Sequence, residues 1–60
     1  MNEQDCNTVD AMEKHGGSFV KALATLCRHA DPFNLDLVKI TWARYWKQYE
    51  EMGNKNNDHE

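Results

Sequence analysis

Apolar residues recur at helical spacing through the middle of this chain and thin out towards both ends. From Ser18 onward they fall at Phe19, Ala22, Leu23, Leu26, Cys27 and Ala30, the threes and fours of one helical stripe. Lys21, Thr25, Arg28 and His29 lie off that stripe. The pattern predicts a helix over residues 18–30, opened by Ser18 as N-cap, because a serine hydroxyl can accept from an orphan N–H of the first turn. Asp31-Pro32 closes it, since proline disfavours helical geometry in the residue before it. The same pair opens a second helix, with Asp31 as cap, Pro32 at the first position and Asn34 as the competing cap.

That second helix carries the strongest signal. Leu35, Val38, Trp42, Tyr45, Tyr49 and Met52 alternate spacings of three and four, an a/d stripe running over residues 32–52. Phe33, Leu37 and Ile40 widen its apolar face early, and Trp46 widens it later. Gly53 is expected to end it. Before Ser18 the signal is weak. Residues 1–7 show no periodicity and are expected to be disordered. Thr8 or Asp10 could cap a short helical turn carrying Val9, Ala11 and Met12. Gly16 then sits where a helix ends in left-handed geometry, so Gly16, Gly17 and Ser18 form a hinge and cap. The expected organisation is one helical domain over 8–53 with a disordered tail over 54–60. The fold class is all-α: a helical hairpin with a short N-terminal turn, assembled as a dimeric bundle.

Helix lengths sharpen this picture. At 1.5 Å per residue, 18–30 spans roughly 20 Å and 32–52 roughly 32 Å. The overhang begins near Tyr45 and bears Trp46, Tyr49 and Met52. Either Val9 and Met12 fold back over it or a second chain does. Trp42, Tyr45 and Tyr49 are read as core, Trp46 as an interface residue, and the group Trp42, Tyr45, Trp46, Tyr49 and Met52 as the candidate surface for a partner or for self-association. Sixty residues make a thin core, which favours a homodimer or a dedicated protein partner.

Charge adds a second candidate surface. Residues 1–13 hold four acids and no base, residues 14–47 six bases against two acids, and residues 48–60 four acids against one base. The basic middle makes Lys21, Arg28, Lys39, Arg44 and Lys47 candidate contacts for an acidic partner or for nucleic acid. A small DNA-binding regulator is therefore the alternative function, although the net charge of −3 and the acidic ends oppose phosphate contact.

Candidate chemistry is sparse. His15, His29 and His59 are scattered, and His29 and Cys27, two apart, point away from each other on a helix. Cys6 and Cys27 with two histidines lack the short paired spacing that seeds zinc coordination. Lys14, His15 and Lys21 around Gly16-Gly17 suggest an anion loop, but the spacing fits neither a Walker loop nor a dinucleotide fingerprint. No enzyme, metal or cofactor is expected. Without an export signal, both cysteines are expected to be free thiols in a reducing cytoplasm, Cys27 as a small core residue. No apolar run approaches the ~20 residues that cross a bilayer, so a membrane partner is not expected.

The run KHGGSFVKALATLCRHADPFNLDLVKITWARYWKQYEEM, residues 14–52, resembles short proteins encoded by bacteriophages and prophages. The shared skeleton is H-G-G-S-F-V-x-A-L, then A-D-x-x-N, then an aromatic Y-W-x-x-Y end. Where related chains place a proline in the second helix, this one has Ile40-Thr41-Trp42-Ala43-Arg44. The resemblance carries no activity. It implies a protein made in the cytoplasm of an infected bacterium, an accessory factor binding a host or phage protein.

Overall fold

The computed structural model describes residues 1–54, all in helices or the short joints between them. Four helices follow in order: α1 (Glu3–His15), α2 (Ser18–His29), α3 (Pro32–Thr41) and α4 (Ala43–Asn54). The all-α class is as expected. Its details differ in three places, each with an identifiable cause.

The first is the N-terminus, where a 13-residue helix replaces the expected disorder and short turn. Asn2, rather than Thr8 or Asp10, caps it: the Asp5 N–H donates to Asn2 Oδ1 at 2.7 Å. Glu3 and Asp5 occupy the first turn and Lys14 and His15 the last, the order that complements the helix dipole. Its buried residues are Asp5, Thr8, Val9, Ala11 and Met12. Two of those five positions are polar, which hides the periodicity. Both polar groups are satisfied: Thr8 Oγ1 donates to the Gln4 carbonyl at 2.9 Å, and Asp5 accepts from Lys39 Nζ at 3.0 Å.

The second is the joint. Gly16 and Gly17 are both extended, with φ near −79° and −78°, so the left-handed ending expected at Gly16 is absent. Gly17 is the N-cap of α2 and Ser18 its first helical residue, with no side chain capping the helix. The buried stripe of α2 is Val20, Leu23, Ala24 and Cys27, turned away from the expected one, and Phe19 and Leu26 are half exposed. The cause is α1. It packs beside α2, with Arg28 reaching Asp10 and Glu13.

The third is the long helix. Asp31 caps α3 as expected, accepting from the Asn34 N–H at 2.8 Å. At Trp42 the backbone leaves helical geometry, with φ −114° and ψ 40°, and α4 starts one residue later. The Trp42 N–H still donates to the Val38 carbonyl, and the Trp46 N–H to the Trp42 carbonyl, so only one residue interrupts the ladder. The buried residues are Leu35 and Val38 on α3 and Trp46 and Tyr49 on α4, with Trp42 partly exposed between them, Tyr45 half-buried and Met52 exposed. That set follows the 3.6-residue period of the helix rather than the seven-residue repeat, from which a straight helix drifts by about 20° per heptad. Gly53 lies within α4 instead of ending it, and Asn54 is helical rather than part of a tail. The remaining tail expectation, 55–60, falls outside the described residues.

α4 lies along α1, the most extensive helix pair among the described residues. Val9 and Met12, both fully buried, cover Trp46 and Tyr49, so the fold-back is the option taken. Ends of the two helices are tied by Asn7 Nδ2 donating to Asn54 Oδ1 at 3.0 Å and Gln4 Nε2 to Glu50 Oε2 at 3.3 Å. By contrast α2 and α3 scarcely touch.

Candidate interaction surface

The two helices that scarcely touch leave an apolar face between them. Phe19, Ala22, Leu23, Leu26 and Trp42 border an open hollow of about 290 Å³. A second, of about 270 Å³, shares Leu26 and Trp42 and adds Leu37 and Val38 from α3, with His29, Asn34 and Thr41 as its polar groups. Apart from His29, neither lining contains an ionisable side chain. Beside the second hollow, Phe33 and Ile40 are 70% and 74% exposed. They stand four residues before and three after Leu37, so the three form a ridge along α3.

The aromatic residues expected at a surface divide. Trp46 is 6% exposed and Tyr49 7%. Trp46 is therefore core, not interface, because α1 packs over the face of α4 that carries it. Trp42 is the partly exposed one. It meets Phe19 edge-on with ring centroids 5.4 Å apart, and Tyr45 stacks at a tilt 5.4 Å from Phe19 and 6.3 Å from Trp42. Met52 is exposed at the other end of α4. The structure thus brings Trp42 and Tyr45 to the α2–α3 face and removes Trp46 and Tyr49 from any surface.

The five basic candidates divide as well. Arg28 grips two carboxylates of α1, Asp10 and Glu13, with Nε and Nη2 donating to Glu13 at 3.1 and 3.0 Å. That pairing holds the Glu13 carboxyl below its ordinary value, Arg28's hydrogen bond being the main cause. Lys39 donates to Asp5 and lies 5.1 Å from the Trp46 ring centroid, joining α3 to both α1 and α4. Lys21, Arg44 and Lys47 form no ion pair among the described residues. Lys14 and His15 border a hollow shared with Asn7, Asp10, Met52 and Gly53.

Gly16 and Gly53 have steric tasks. A Cβ on Gly16 would collide with Val20 and the Met12 carbonyl, and one on Gly53 with the Asn7 carbonyl; at Gly17 the space is open. Both cysteines are free, and burial pushes the Cys27 thiol up, with Asp5 adding to the shift. No three His, Cys, Asp or Glu side chains converge to hold a metal ion among the described residues. No described helix is long and apolar enough to cross a membrane.

Sequence reasoning missed Leu26, Leu37, Phe33 and Ile40 as surface. The signal was present in α3, whose apolar residues lie on two faces: Leu35 and Val38 inward, Phe33, Leu37 and Ile40 outward. A helix apolar on both sides asks for two coverings. Comparison with known proteins finds no family model, no curated protein and no solved structure that matches the chain.

Proposed function

We propose that this chain is a small non-enzymatic accessory protein that works by protein–protein contact through its α2–α3 face. The observation that carries the reading is that face: apolar, nearly free of ionisable groups, and uncovered by the other described residues. Patches of this kind mark interaction sites. Contact with a host or phage protein and contact with a second copy both belong to the reading. Its setting, the cytoplasm of an infected bacterium during phage development, host takeover or anti-defence, rests on the resemblance of residues 14–52 to short phage-encoded proteins.

The test is affinity capture from bacterial lysate with wild type and with Leu26→Asp/Leu37→Asp, two partly exposed positions. Loss in the variant of proteins held by wild type is expected. Retention of the same set by both would sink the assignment of function to this face. The alternative, a DNA-binding regulator, has less to work with, because Arg28 and Lys39 are committed to carboxylates. It needs Lys21, Arg44 and Lys47 alone to give a salt-sensitive electrophoretic shift.

A further inference from the structure

Six large apolar side chains, Phe19, Leu26, Phe33, Leu37, Ile40 and Trp42, are between 37% and 74% exposed. They are contiguous. Leu26 and Trp42 belong to both hollows, Leu37 to the second, and Phe33 and Ile40 flank Leu37 on α3. At about 200 Å² for a large side chain fully exposed, they present roughly 650 Å² of apolar surface. That is just above what a free monomer carries, about 300–600 Å² in its largest patch. With the neighbouring Ala22, His29, Asn34 and Thr41 the face approaches the ~800 Å² that each partner contributes to a standard stable interface.

The chemistry of the face selects the occupant. In a two-fold contact a residue near the axis meets its own twin, so a charge placed there faces a like charge. Neither hollow is lined by Asp, Glu, Lys or Arg. A partner recognised by charge would call for charged groups at that lining, and none is there. The face also carries both halves of a self-fit side by side, a ridge on α3 and a hollow between α2 and α3. We infer that this face is the two-fold interface of a homodimer. The Phe33–Leu37–Ile40 ridge of each copy seats in the α2–α3 hollow of the other, with Leu37 beside the axis. The inference rests on the reading that protein covers this face.

Sedimentation equilibrium of the full chain tests it over about 1 to about 100 µM, a range that reads a micromolar dissociation constant. Wild type should rise from the 7.0 kDa chain mass to twice that value. Phe33→Asp/Ile40→Asp should keep the helical circular dichroism yet raise the dissociation constant at least tenfold. Arg44→Glu, which lies outside the two linings, should leave it unchanged. If the double variant loses helicity, Ile40→Ser alone takes its place, at the most exposed of the six positions. Wild type fixed at the chain mass, or a folded variant that dimerises like wild type, overturns the dimer. A monomeric wild type that still loses its lysate partners with Leu26→Asp/Leu37→Asp removes the dimer and leaves the interaction reading standing. Failure of both experiments removes both.

Discussion

Trp46 illustrates how a residue at the edge of a seven-residue repeat can sit at the centre of a straight helix's buried face, because an α-helix drifts about 20° per heptad against that repeat. It is buried in the α1–α4 seam, with Lys39 above its ring. Trp46→Ala is expected to cost about 3–5 kcal/mol. A domain this small has little more than that in reserve, so the helical signal at 25 °C should collapse. A variant that stays helical while self-association weakens would put Trp46 back on the surface. The three glycines separate by the same logic. Gly53→Ala should lower stability by about 1–3 kcal/mol, because the added methyl pushes α4 off the Asn7 carbonyl. Gly17→Ala meets open space in extended backbone and should stay within about 0.5 kcal/mol of wild type. Thermal melts of the two variants side by side decide it, with equal midpoints counting against the close approach at Gly53.

Helix by helix, the breaks at Gly16-Gly17 and Asp31-Pro32 were legible, whereas the one at Trp42 and the helix phases were not. Asp31-Pro32 and Gly16-Gly17 carry local chemistry, a capping carboxylate and residues without side chains, which acts through the nearest few backbone groups. α1 escaped notice because Asp5 and Thr8 occupy two of its five buried positions, and what makes them tolerable there is Lys39, 34 positions away from Asp5, and a local bond to the Gln4 carbonyl. The rotation of α2 follows from α1 packing beside it, and so could not be read before α1 was recognised. The candidate site suffered accordingly: Trp42 and Tyr45 remained on a surface, Trp46 and Tyr49 did not, and α3's second apolar face was taken for a wider core. The α1–α2 clasp offers a test of its own. Glu13 is held below its ordinary value of 4.5 by Arg28, with Asp10 acting in the opposite sense. A carboxyl depressed in the fold stabilises it above that value and ceases to as pH falls through the lowered one. Glu13→Gln should therefore lower the urea midpoint at neutral pH, and the gap from wild type should close in acid. A gap that persists unchanged below pH 4 would mean Glu13 contributes by something other than its charge.

At the scale of the whole molecule, sixty residues raise the question of what covers the long aromatic helix. The answer was within reach of the sequence, since Val9 and Met12 were one of two possible covers for the overhang. They cover it, and the exposed apolar surface moves from the end of α4 to the α2–α3 face. Each chain is thereby closed at one seam and open at another, which is why a second copy is sought at α3 and not at Trp46.

The closed seam also orders events during synthesis. Asn7 is bonded to Asn54 and Gln4 to Glu50, pairs 47 and 46 positions apart. α1 leaves the ribosome first, and its main partner, α4, is the last of the four helices to appear. Closing a loop that long costs conformational entropy. Until α4 is free, Val9 and Met12 lack the rings they are built to cover, and the emerging chain has the α1–α2 contact but not the main seam of its core. A ribosome stalled before Trp46 should hold a chain as open to protease as an unfolded one.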